Sequence, residues 1–277
     1  MLHLDPNQLE TPKLHGYLLG AVGPRPICFA STIDSQGQVN LAPYSFFNVF
    51  SAKPPILIFS PARRVRDNTV KHTLENVQEV PEVVINVVDY SMVQQMSLAS
   101  TEYSKGVNEF VKAGFTMEPS ELVKPPRVQE SPVQLECKIV EITALGTQGG
   151  AGNLVMAEVL RLHINENILD DQGHIEPEKI DLVSRMGGNW YSRAKSGLFE
   201  VAKPNRNHGI GIDALPAAIK QSEILSGNDL AQLANVSTLP SGANKQSGKD
   251  LNAHKKAKQL IEQGSIEQAW NILIDNN

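Results

Sequence analysis

Three arginines crowd one short stretch, Pro61-Ala62-Arg63-Arg64-Val65-Arg66-Asp67-Asn68-Thr69. Guanidinium groups stay charged and present a fork of donors, so this cluster suits an anion. The residues that follow carry a helical spacing. Val70, Leu74 and Val77 share a face, and Asp67 is a fair N-cap. A helix starting there puts free N–H groups and a positive dipole end beside the arginines, a setting for one phosphate. The same run also reads as a solvated basic loop.

A second stretch, Val39-Asn40-Leu41-Ala42-Pro43-Tyr44-Ser45-Phe46-Phe47-Asn48-Val49-Phe50, begins as a strand and then stops alternating. Pro43 removes a backbone donor, so a break or kink is expected there. Ser45 and Asn48 follow among aromatics. Unpaired N–H groups at such a break could hold a planar polar ligand. Alternatively, Ser45 and Asn48 satisfy the local backbone of a bulged strand.

Other candidates are weaker. Ser100-Thr101-Glu102-Tyr103 is a polar loop running into a short helix. Met186-Gly187-Gly188-Asn189-Trp190-Tyr191 is either a close approach to something flat or a tight turn. The glycines of Gly146–Asn153 join strand to strand, not strand to helix, so they form a hairpin loop and no dinucleotide fingerprint. His163 has no partner at metal-ligand spacing, and the reading is a packed strand histidine with no metal.

Elements must position these residues. Residues 1–20 read as a loose lead-in with a turn of helix. Pro26–Ile33 is a strand, Asp34-Ser35-Gln36-Gly37 a turn, and 26–44 a hairpin. Pro55–Ser60 and Val83–Val88 are strands apolar on both faces, the second broken by Asn86, which would bond backbone at a sheet edge. Asp89 would cap a helix through Met92 and Met96. Residues 117–132, with four prolines, form a surface loop. Val133–Leu145 and Leu154–Asn165 are long strands.

After about residue 204 the character changes. Lys203–Gly209 reads as a linker, and helical pieces follow at Asp213–Gln221 and Asn228–Ala234. Leu251–Gln263 is a helix stopped by Gly264. Ser265 and Gln268 form a capping-box pair for a last helix carrying Ile266, Ala269, Trp270 and Leu273. These apolar faces look too short for a core of their own, so the tail is expected to fold onto the outside of the preceding domain or onto a partner subunit, with residues 237–249 as a tether.

Composition narrows the classes. The chain has 277 residues, 41% hydrophobic and 20% charged, which is ordinary for a globular protein. A net charge of −5 argues against nucleic-acid binding. No apolar run approaches a membrane span, and the N-terminus lacks the basic and apolar regions of a signal peptide. Two cysteines, Cys28 and Cys137, make no disulfide framework, which suits the cytoplasm.

Residues from about 20 to 202 resemble the flavin reductase-like FMN-binding split-barrel family, which includes flavoredoxins and NAD(P)H:flavin oxidoreductases. The likeness rests on Asn40–Asn48, Arg66–Thr69 with Asn76, Val84–Val87, Ser100–Tyr103 with Glu109-Phe110, Glu136-Cys137, and Glu158 through His163 to Gly173. It implies a mainly β fold, a six-stranded antiparallel split barrel with flanking helices, assigned to 1–204; the helical residues beyond it, 205–277, read as a C-terminal extension outside the likeness. It also implies a homodimer with FMN near the interface. Backbone amides of Ala42, Pro43, Tyr44, Ser45, Phe46 and Phe47 would hold the ring, Pro43 having none of its own. Arg64, Arg66, Asn68 and Thr69, with Ser45 or Asn48, would hold the phosphate. Many members read Asp-Thr where this chain has Asp67-Asn68-Thr69, so either Asn68 or Thr69 could point inward. Ser100, Thr101 and Tyr103 would border the reactive edge, and the Gly187–Tyr191 patch the ring or the dinucleotide entrance.

The implied function is an FMN-binding oxidoreductase, an NADH- or NADPH-dependent flavin reductase. Hydride transfer is the cofactor's own chemistry and demands no acid–base residue, so no catalytic residue is assigned. The alternatives are a non-enzymatic electron carrier and an interaction protein working through its tail.

Overall fold

The computed structural model describes residues 1–201, 203–204, 209–244 and 247–275. Part of the expected linker, 205–208, and part of the expected tether, 245–246, lie outside them. The chain forms two compact units, Met1–Leu198 and Phe199–Asn277.

Eleven strands are present among the described residues, all in the first unit: β1 (Cys28–Ile33), β2 (Val39–Tyr44), β3 (Phe47–Ala52), β4 (Pro55–Phe59), β5 (Glu82–Val87), β6 (Met117–Glu118), β7 (Arg127–Val128), β8 (Val133–Ala144), β9 (Asn153–Ile164), β10 (Val183–Arg185) and β11 (Tyr191–Arg193). Seven of them make one antiparallel sheet in the order β2-β1-β5-β8-β9-β4-β3. The first and last strands of that order are joined by only two residues, Ser45 and Phe46. So short a link brings the two sheet edges together where it crosses. The sheet is thus rolled on itself, split along the β2/β3 seam, and not closed by hydrogen bonds.

The expected count of six strands is corrected to seven. The missed strand is β3. Pro43 does not end β2: it pairs with Phe29, and the break falls at Ser45-Phe46. Strand alternation explains the tolerance. Leu41 N–H points away from β1, to Glu109, so Pro43 lies at a position that needs no donor toward β1. Beyond the seam, Phe47, Val49 and Phe50 are good β-formers, and the chain resumes pairing, now with β4.

Period-two burial sorts the core. Cys28 and Ala30 of β1 join Leu57, Phe59, Val83, Ile85, Val155 and Ala157 on one side of the sheet. Phe29 faces the other way, onto Met92, Met96, Phe110 and Phe115. The long β8–β9 hairpin bends at irregularities near Glu136/Cys137 and Ile139/Glu141, as bulges do. Asn86 is not at an edge. β5 is an interior strand, and the buried Asn86 amide donates to Phe29 O and accepts from Val128 N at 2.9 Å.

Helices flank the sheet: α1 (Thr11–Ala21), α2 (His72–Glu79), α3 (Val93–Leu98), α4 (Glu109–Ala113) and α5 (Pro177–Ile180). The lead-in is more regular than expected, since α1 spans 11 residues. α2 starts four residues later than expected, with Lys71 at its N-cap position. Asp67 is not its N-cap. Its carboxylate instead accepts from Thr69 N–H and Thr69 Oγ1, turning the chain before the helix begins. Likewise Asp89 accepts from Met92 N–H in the turn ahead of α3. The proline-rich stretch contains the short β6–β7 pair.

The second unit holds α6 (Ala217–Lys220), α7 (Gly227–Ala234), α8 (Leu251–Glu262) and α9 (Ile266–Asp275). Leu215, Ile219, Leu230, Leu233, Ala257, Ile261, Trp270 and Leu273 bury one another in a core of their own. The expectation that the tail lacks a core is corrected. Its apolar faces are short singly, but residues of all four helices share one buried cluster with Trp270, whose indole N–H donates to Leu233 O at 3.1 Å. Leu251 is exposed and lies outside that core.

Candidate functional site

A cleft opens beside the β2/β3 seam, enclosing about 510 Å³ of empty space with its mouth included. One wall is β2, through Asn40, Ala42, Pro43 and Tyr44. The opposite wall is the loop after α3, Ala99 to Tyr103. One end is Arg64, Lys71 and the first turn of α2, His72 and Thr73.

The floor is a buried hydrogen-bond chain. Tyr44 Oη donates to Thr73 Oγ1 at 2.8 Å, and Thr73 Oγ1 donates to Asn40 Oδ1 at 2.7 Å. Asn40 Nδ2 donates to Glu109 Oε1 at 2.9 Å, and Leu41 N–H to Glu109 Oε2 at 2.9 Å. Glu109 heads the short helix α4 and is only 4% exposed. Burial pushes its carboxyl above the usual range, and pushes the Tyr44 phenol up as well. Tyr44 therefore stays a protonated donor, leaning on the Phe59 ring at 5.6 Å.

The cation end is built by an irregular loop held from behind. Arg63 N–H donates to Ala151 O at 2.8 Å and Gly150 N–H to Arg63 O at 3.0 Å. A Cβ on Gly149 would come within 3.0 Å of three backbone atoms of Arg64 and Val65. The glycines of the β8–β9 hairpin loop thus let it clasp the arginine loop. Arg64 donates to Thr69 Oγ1 at 3.0 Å, to Val70 O and to Glu102 Oε1 at 3.1 Å. Arg66 is more exposed and reaches Asp67 and Glu102. The Arg64 and Arg66 bonds hold the Glu102 carboxyl below its usual range, and the Thr69 bonds hold Asp67 at about 2. α2 has no side-chain cap, so its positive end faces the cleft directly.

Seven of the sequence candidates line this cleft: Ala42, Pro43, Tyr44, Arg64, Ser100, Thr101 and Tyr103. Arg66 and Thr69 reach it through Glu102 and Arg64. Asn68 turns elsewhere. Its backbone is left-handed, φ 56°, and its side chain bridges Arg63 and Thr147 O. Ser45 sits at the seam, accepting from the buried Arg25 Nε at 3.4 Å. Phe46 lies edge-on to His15, Phe47 packs into the sheet core, and the Asn48 side chain accepts its neighbour's N–H. Alternation turns the Ala42 and Tyr44 amides toward β1. Pro43 has no N–H, so between Ala42 and Tyr44 no backbone donor points away from β1.

Gly187 and Gly188 make the turn between β10 and β11 and do not line the cleft. Met186 N–H donates to Trp190 O, Gly188 has φ 58°, and Gly187 lies against Gly20 at the end of α1. Tyr191 packs under Arg185. His163 pairs with buried Glu136 at 2.7 Å. Sequence reasoning missed Asn40, Lys71, His72, Thr73, Glu102 and Glu109. Asn40, Glu102 and Glu109 lie inside the stretches that carry the family likeness but were given no site role, and Lys71, His72 and Thr73 showed only their polarity beside the arginine motif.

A rolled antiparallel sheet, split at a seam beside a cleft that ends in cations, defines a split-barrel protein. Residues 21–179 match the flavin reductase like domain, and the chain belongs to that family. An uncharacterized protein from Aquifex aeolicus is 38% identical over 187 residues, 68% of this chain and 93% of its own length. Nitrilotriacetate monooxygenase component B from Bacillus cereus is 29% identical, with a TM-score of 0.67 over 73% of this chain and 98% of that one. A flavin reductase candidate with a split barrel domain from Shewanella frigidimarina is 26% identical, with a TM-score of 0.62 over 73% of this chain and all of that one.

The family implies a flavin, and the residues present fit one. Arg64, Lys71 and the α2 start suit a phosphate. Pro43, Tyr44 and the Ser100–Tyr103 loop line the rest of the cleft, where a flavin ring would meet them.

Proposed function

We propose that this protein is an FMN-binding flavin reductase that takes electrons from NADH or NADPH. One observation carries this reading: a single cleft joins a cation cluster at one end to two facing walls at the other, and its mouth is open. A flavin bound there supplies hydride acceptance. The chain's own part is binding and orientation. Arg64 and Lys71, with Arg66 behind them, hold the phosphate end. Tyr44 and Pro43 face one side of the ring, and Ser100, Thr101 and Tyr103 border its edge. The likeness to a monooxygenase component supports a role in redox chemistry.

Mixing FMN-loaded protein with NADH or NADPH without air tests the proposal. Bleaching of the flavin absorbance at about 1 per second or faster is expected. No bleaching over many minutes at millimolar nicotinamide, with dithionite still reducing the flavin, would leave only an electron carrier.

The proposal includes a homodimer. β3 ends the sheet order and exposes Val49 at 64% and Phe50 at 63%. An apolar edge strand of this kind invites cover by another chain, and a second copy is the cover proposed here. Light scattering at micromolar concentration should give twice the 30.3 kDa chain mass; a monomer alone would refute the dimer.

A further inference from the structure

Glu102 holds an unusual place at the cleft. Its carboxylate oxygens lie 3.1 Å from Arg64 Nε, 3.2 Å from an Arg66 guanidinium nitrogen and 3.5 Å from Lys71 Nζ. Three cations from the two segments that form the anion end converge on one carboxylate. That carboxylate comes from the opposite wall, in the same loop as Ser100, Thr101 and Tyr103. A carboxylate is a two-oxygen stand-in for a phosphate, and it occupies the seat a phosphate would take. Both cannot use the same donors, and a dianion arriving beside Glu102 meets like charge.

Resting on the flavin-phosphate reading above, the geometry points to Glu102 as an internal competitor for the phosphate seat, which keeps a phosphorylated ligand exchangeable. When the seat is empty, Glu102 satisfies the cations. When a phosphate enters, Glu102 is displaced into solvent, to which it is already 44% exposed. The ligand's affinity is lowered by the free energy of the pairs it breaks. Exposed ion pairs are individually weak, so the effect is a tuning of affinity and not a block. The opposing possibility is that Glu102 is a scaffold that holds Arg64, Arg66 and Lys71 in position for the ligand. The two differ in sign.

The test compares wild type with Glu102→Gln, with Glu102→Asp as a second variant whose shorter side chain reaches less far. FMN and riboflavin are titrated by fluorescence, and melting temperature is followed with inorganic phosphate as an independent probe of the seat. The competitor predicts FMN bound about three- to tenfold tighter by Glu102→Gln, slower FMN release, unchanged riboflavin, and a larger phosphate-induced rise in melting temperature. Glu102→Asp should move the same way by less, and carries the comparison if Glu102→Gln fails to fold. Weaker or equal FMN binding by both variants overturns the proposal. If wild type binds no FMN, the flavin reading fails by itself. A larger phosphate effect in Glu102→Gln would still uphold the competitor, and an equal or absent one would overturn it too.

Discussion

Replacing Arg64 and Lys71 together by alanine is expected to raise the FMN dissociation constant about 100-fold or more. Each charge-assisted hydrogen bond to an anion contributes roughly 1.5–3 kcal/mol, and about 1.4 kcal/mol is a factor of ten. Riboflavin lacks the phosphate, so its affinity should change by less than about threefold if only charge is lost. Arg64 also ties the loop to Val70 O and Thr69 Oγ1, so melting temperatures of the unliganded proteins separate a lost contact from a lost loop. Equal losses for FMN and riboflavin, with an unchanged melting temperature, would remove the phosphate assignment.

Glu109→Ala should lower stability by about 3 kcal/mol, because it strands two buried donors, Leu41 N–H and Asn40 Nδ2, under the cleft. It should also loosen β2, the wall that these bonds hold. Glu109→Gln keeps the shape and removes the charge. Burial raises the Glu109 carboxyl in the folded protein above its ordinary 4.5. Between that value and the raised one, the folded state binds more protons than the unfolded. Stability from this group is therefore full below pH 4.5 and is lost as pH rises through the raised value. The stability of wild type minus that of Glu109→Gln should fall with rising pH across this window. Urea denaturation from pH 4 to 7 measures it, and a difference that grows with pH would contradict the account.

Much of the fold was legible along the chain. The β1–β2 hairpin, β4, β5 and the β8–β9 pair have local period-two or continuous apolar patterns with turn residues at their ends. The arginine cluster was legible as chemistry. Less legible was where α2 begins. Asp67 has the chemistry of a helix cap, but the same short carboxylate serves the turn to Thr69 equally well, and the backbone chose the turn. β3 was hidden because Pro43 signals a break, and nothing local says that the unneeded donor lies on the side away from β1.

By itself, the sequence determined six of the seven strands of the main sheet, the cation cluster and the helical end of the chain, since each depends on neighbours within a turn or a pleat. The tertiary structure alone decided the cleft. Asn40 meets Glu109 across 69 residues, Tyr44 meets Thr73 across 29, and Arg64 meets Glu102 across 38. Such pairings follow from how the sheet rolls and which loop faces the seam. A lone polar side chain carries no local signal of the partner that rolling brings to it.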